Sequence, residues 1–163
     1  MKSPTVPEPF HPVRQLVRTF GLLERVMRPY FARFGISGSQ WGVLRNLRRA
    51  EEDGVEGLRL TELSERLLIK PASVTGLIDR LERAGLVERF SSPTDLRVTK
   101  VQLTSEGRDI VERILNVHPE KLADLMTGLS GPEQKELSRL LARWCQNLEK
   151  SLHSGVLEPA SVG

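Results

Sequence analysis

The sequence is poor in the groups that enzyme chemistry most often uses. It has one cysteine in 163 residues, Cys145, which excludes an internal disulfide framework or a cysteine-based zinc site within one chain. The histidines His11, His118 and His153 are scattered, and none stands at metal-ligand spacing from an acid or another histidine. There is no glycine-rich phosphate loop and no nucleophile elbow. The expectation is therefore a protein that is not an enzyme and that needs no cofactor and no metal. No apolar run approaches the ~20 residues of a membrane span, and residues 1–12 lack the apolar core of a signal peptide. With 39% apolar residues, the composition is too hydrophobic for a disordered chain. A single soluble, cytoplasmic domain without a membrane partner is expected.

What the chain does have is charge, unevenly placed. Residues 1–50 hold 9 Lys/Arg against 2 Asp/Glu, and residues 66–108 hold 8 against 5. Residues 51–65 hold 1 against 6, and residues 109–163 hold 6 against 8. The net +3 thus conceals two basic segments of the kind a polyanion partner favours. Arginine-rich helices are as often plain solvated surface, so charge alone does not decide.

Pro4, Pro7, Pro9 and Pro12 mark residues 1–12 as an extended, flexible tail. From Val13 the apolar residues Leu16, Val17, Phe20, Leu23, Met27, Tyr30, Phe31 and Phe34 keep helical spacing, and Pro29 predicts a bend. A second helix is expected over 39–49 with Ser39 as N-cap, then an acidic loop over 51–57 and a short helix over 60–67. Pro71 suits the first turn of the next helix, whose Val74, Leu77, Ile78 and Leu81 share one face until Gly85 ends it. Residues 87–90 and 98–103 alternate as strands, with turn formers Ser91, Ser92, Pro93 and Asp95 between them. Thr104 caps a fifth helix that Pro119 should interrupt or kink. Gly131-Pro132 opens a sixth, with Leu137, Leu140, Leu141, Trp144, Leu148 and Leu152 on one stripe.

Two helices joined through 68–70 and followed by a β-hairpin make a winged helix-turn-helix, a mainly α fold with a small β wing. The second helix offers Ser73 and Thr75 near its N-terminal end, where side chains reach base edges. Lys70 and Arg80 are the expected phosphate contacts. Asp79 is expected to hold Arg83 one turn on. An amphipathic helix alone is more often a packed surface helix. The wing tip is more specific: Arg97 can enter a minor groove, with Asp95 holding its guanidinium. An exposed Asp–Arg pair contributes only ~0–1 kcal/mol to stability, so stability gives little reason for it.

The segments FGISGSQWGVLRNL, SVTGLIDRLERAGLVER and DLRVTKVQLTSEG, in that order, resemble the MarR family of winged-helix transcriptional regulators. The last matches the family's wing pattern, Asp-x-Arg, three residues, an apolar residue, x, Leu-Thr-x-x-Gly, at every fixed position. The resemblance implies a homodimer with dimerisation helices at 13–34 and 105–153 and a DNA-binding lobe at 39–104, all within one domain over 13–163. It implies a pseudo-palindromic double-stranded DNA operator, with half-sites roughly 34–36 Å apart. It further implies a repressor released by a small aromatic or anionic effector, with Tyr30, Phe34 and Trp41 as candidate lining residues. Two positions depart from the pattern: Arg59 replaces the usual Thr cap before the short helix, and Gly76 replaces a larger residue, often Arg or Ser. Two alternatives stay open. One is a thiol-redox-sensing repressor using Cys145, the lone thiol, on the last helix between Trp144 and Gln146. The other is a winged-helix protein-interaction module that never touches DNA.

Overall fold

A computed structural model describes residues 11–92 and 95–153, so the tail expected over residues 1–12 lies, up to Phe10, outside the described residues. The first helix, α1 (Pro12–Ala32), starts where the His11 side chain accepts a hydrogen bond from the Val13 N–H at 3.3 Å and Pro12 occupies a position needing no donor. It runs unbroken through Pro29. Pro29 offers no N–H to the Arg25 carbonyl one turn earlier, yet it does not end the helix, which continues to Ala32.

Helix α2 (Gly38–Glu52) is capped by Ser37, not Ser39. Its hydroxyl accepts from the Gln40 N–H at 3.2 Å, while Gln40 Oε1 accepts from the Ser37 N–H at 2.8 Å, a reciprocal capping box. The helix also runs further than expected, taking Glu51 and Glu52 from the acidic loop. Strand β1 (Leu58–Arg59) and helix α3 (Leu60–Leu67) follow. The start of α3 lacks a side-chain acceptor at Arg59, but Glu62 reaches back to the Arg59 N–H at 2.7 Å. Half a capping box thus does the work of the missing Thr.

The turn from α3 into α4 (Pro71–Arg83) is held by Ser64, whose hydroxyl donates to the Ile69 carbonyl at 2.6 Å. Leu68 in that turn has φ 54° and is 85% exposed. A leucine is strained in this left-handed region and gains no burial for it. Leu68→Gly is therefore expected to stabilise the fold by about 0.5–1 kcal/mol, glycine's chain-entropy cost offsetting part of the relieved strain. A urea titration with an unchanged or lower midpoint would refute this.

Strands β2 (Val87–Ser92) and β3 (Asp95–Leu103) form the hairpin, and β1 adds to its other side, giving the antiparallel order β1-β3-β2. Val87 lies opposite Leu103 and Arg89 opposite Val101, and the register shifts between Ser91 and Ser92. Pro93 and Thr94, of which Pro93 was an expected turn former, lie outside the described residues. Leu58, Val101 and Leu103 are fully buried and pack with Leu44, Leu47, Leu63, Val74, Ile78 and Leu81 in the core of the lobe. Each such side chain contributes roughly 1.5–3 kcal/mol by leaving water.

Helix α5 (Ser105–Leu125) passes through Pro119 without a break. The chain divides into two compact units at Asn116/Val117, inside this helix and shortly before Pro119. The second unit holds the end of α5 and helix α6 (Gly131–His153). Before α6, the Ser130 hydroxyl and N–H donate to Glu133 at 2.6 and 2.7 Å and hold that carboxyl below its usual range. Overall the described residues are mainly helical with a small antiparallel wing, as the sequence implied.

Candidate functional site

The apolar stripe of α4 is buried, with Val74 and Ile78 at 0% exposure. That orientation leaves Lys70, Ser73, Thr75, Asp79, Arg80 and Arg83 on the solvent side. Lys70 is extended (φ −66°, ψ 145°), as a residue before proline should be, and forms the N-cap position. Ser73 and Thr75 sit in the first turns. The Thr75 hydroxyl donates to the Pro71 carbonyl at 3.2 Å, so its proton is directed along the helix and its lone pairs face outward.

The Asp79 side chain does not pair with Arg83. Its carboxylate accepts from Arg89 Nη2 on β2 at 2.6 Å, and Arg83 Nε instead donates to the Asp79 backbone carbonyl at 3.1 Å. Arg89 Nη1 bonds Glu82, so one guanidinium on the wing holds two carboxylates one turn apart on α4. The hydrogen bond to Asp79, foremost, raises the Arg89 pKa further above its ordinary value. The pairing crosses 10 residues of sequence, which helix-spacing rules do not reach. Only the antiparallel register, once known, reveals it.

Arg97 is exposed on β3 two residues after Asp95. Asp95 pairs in register with Ser92, but its side chain lies outside the described residues, and so does its expected bond to Arg97. The rest of the motif explains itself. The Thr104 hydroxyl donates to the Gly85 carbonyl at 2.6 Å and accepts from the Gly107 N–H at 3.0 Å. The Thr104 N–H donates to the Leu86 carbonyl at 3.2 Å. Leu-Thr-x-x-Gly thus ties the end of the wing and the start of α5 to the turn that ends α4.

A second ionic cluster joins α2 to α5. Arg108 reaches Glu51 with Nε at 3.1 Å and Nη2 at 2.7 Å, and Arg48 reaches Glu112 at 2.8 Å. The residues proposed to line a ligand site lie together. Tyr30 and Phe34 rings are 5.6 Å apart, Tyr30 and Phe31 are 5.1 Å apart, and Phe31 meets Trp41 at 6.1 Å. Tyr30 and Trp41 are buried, whereas Phe34 is half-buried with the Arg113 guanidinium 5.9 Å from its ring centroid. Burial raises the Tyr30 phenol above its ordinary pKa. Arg113 escaped sequence reasoning because its approach to Phe34 is long-range. Cys145 is exposed on α6, 3.7 Å from the Glu149 carboxylate. Among the described residues no group of three His, Cys, Asp or Glu is placed to hold a metal, and no helix is long and apolar enough to cross a membrane.

Residues 34–97 match the model of the MarR family. The chain is 33% identical over 119 residues to the HTH-type transcriptional repressor YetL of Bacillus subtilis, covering 73% of this chain and 70% of that one. It is 29% identical over 136 residues to the HTH-type transcriptional regulator PecS of Dickeya dadantii, covering 83% and 81%. Among solved structures, a mutant of Escherichia coli MarR complexed with operator DNA superposes with a TM-score of 0.74 at 27% identity, over 86% of this chain and 98% of that one. A Staphylococcus aureus MepR–DNA complex is similar in fold, with a TM-score of 0.73 at 21% identity, over 87% and 99%.

Proposed function

The chain belongs to the MarR family of transcriptional regulators, and from that premise we propose that it is a homodimeric, sequence-specific DNA-binding repressor released by a small aromatic or anionic effector. The observation that carries the DNA-binding reading is the exposed polar face of α4 joined to the wing through Arg89, Asp79 and Glu82. This linkage ties the reading helix to the wing through side chains of both. The first turns of the helix can enter a major groove while Arg97 reaches an adjacent minor groove. In this reading Ser73 and Thr75 contact bases, Lys70 and Arg80 contact phosphates, and Asp95 orients Arg97.

The dimer reading rests on apolar surface. Val13, Leu16, Val17, Phe20 and Leu23 are 40–67% exposed on α1, and Leu137, Leu140, Leu141, Leu148 and Leu152 are 39–70% exposed on α6. Each set falls on one helical face, and a second copy of the chain is the partner proposed to cover both. The effector reading rests on Phe34 and Arg113, where an aromatic acid would find a ring edge and a cation together.

Selection of bound sites from random DNA tests the reading. The enriched sequences are expected to form a pseudo-palindrome with half-sites about one helical turn apart; absence of enrichment would remove the DNA-binding reading. Arg97→Ala is expected to weaken operator binding and to reduce the slope of log affinity against log salt by about 1. Unchanged affinity and slope would show that the wing does not touch DNA. Ser73→Ala is expected to change preference at particular base positions by about 1–3 kcal/mol, and equal losses on operator and random DNA would argue against direct readout.

A further inference from the structure

Gly76 is the only glycine in α4, and glycine is among the poorest helix formers. Neither backbone nor packing asks for it there. Its φ is not positive, and a Cβ at this position would meet only Arg80 Nη1, at an ordinary contact distance of 3.6 Å. What the missing side chain leaves is a shallow gap on the solvent side of the helix, and the Arg80 guanidinium lies beside it. The direction is the one helix geometry gives: a side chain four residues on leans toward the N-terminus and covers the turn before its own Cα. The guanidinium is thereby carried one turn toward Ser73 and Thr75.

The acids that would draw Arg80 aside are engaged elsewhere. Asp79 and Glu82 both bind Arg89, and among the described residues Arg80 forms no ion pair. Its intrahelical neighbours at four residues' distance are Gly76 and Ala84, so neither competes for it. A planar guanidinium with free donors, held near the N-terminal turns of a helix, matches the O6 and N7 acceptors that guanine presents in the major groove.

We propose that Arg80, lying in the gap left by Gly76, reads a guanine edge in each half-site through two N–H donors in place of the phosphate contact given to it above, and so determines specificity. The proposal rests on the DNA-binding reading above. In this chain the glycine is then the means by which a residue one turn later takes over readout at that level of the groove.

Site selection from random DNA with the wild-type chain, Arg80→Lys and Gly76→Leu tests this, with circular dichroism verifying that each variant is folded. The wild type is expected to prefer one guanine per half-site by roughly 5- to 150-fold. Arg80→Lys keeps the charge and loses the fork, so that preference should fall below about threefold while the salt slope stays unchanged. Gly76→Leu leaves Arg80 in place but fills the gap, and should lower the same preference while other positions of the motif survive. A wild type without a guanine preference, or an Arg80→Lys variant with the wild-type preference at every position, would overturn the assignment. Failure of the wild type to enrich any sequence would instead overturn the DNA-binding reading on which it rests.

Discussion

Gly107→Ala is expected to destabilise the fold by about 3 kcal/mol or more, a large fraction of the roughly 5–15 kcal/mol of a typical domain. An added Cβ would stand 2.0 Å from the Leu86 carbonyl oxygen and 3.0 Å from its carbon. Those are backbone atoms, so no rotamer change relieves the clash. Nor can the Leu86 peptide step aside cheaply. Its oxygen accepts from the Thr104 N–H at 3.2 Å, and its N–H donates to the Leu81 carbonyl at 2.9 Å. The neighbouring Gly85 carbonyl is held by the Thr104 hydroxyl. Thr104→Ala, which removes two side-chain bonds but adds no atoms, should cost less, about 0.5–2 kcal/mol. Urea unfolding of both variants gives the comparison. A Gly107→Ala midpoint equal to that of Thr104→Ala would mean that α5 can shift away from the α4–β2 turn, and that the close approach is not obligatory.

The same residues show what the sequence made legible. The extents of α3 and α4 and the face that α4 buries follow from apolar spacing and from Pro71 and Gly85, all local signals. The Leu-Thr-x-x-Gly pattern was readable as a motif, whereas its cause, a backbone crossing at Leu86, was not, since that contact joins segments about 20 residues apart. Ser37 as cap of α2 was within reach, because Gln40 three residues later completes a capping box; Ser39 merely stands closer to the apolar run. Strand β1 has only two residues and no periodicity to read. Helix α5 is not interrupted at Pro119, and α1 continues past Pro29 to Ala32, since a proline removes one backbone donor and leaves the other helical bonds in place. In the site, the exposed face of α4 came from periodicity. The Arg89 pairing came only with the strand register, and it reassigned Asp79 from a helical partner to the wing.

Phe20→Asp is expected to convert the proposed dimer to monomer at micromolar concentration and to lower operator affinity by about 100-fold or more, since half-sites bound by linked lobes reinforce each other. Phe20 is 59% exposed and Val17 67% exposed on the single chain. A charge at position 20 therefore has little folded-state packing to disrupt, and surface changes of that kind usually alter stability by within about 0.5 kcal/mol. In a covered apolar interface the same carboxylate would be desolvated without a partner, at a cost of several kcal/mol. The gap between those two costs is what separates the readings. Sedimentation velocity reports the assembly, thermal melting reports the fold, and operator titration reports the consequence. Leu140→Asp on α6, 41% exposed, should behave alike if a second copy covers both faces. A Phe20→Asp chain that stays dimeric and binds operator normally would move the interface off α1. Loss of the dimer in Leu140→Asp alone would then assign assembly to α6, leaving the α1 surface in need of a different partner.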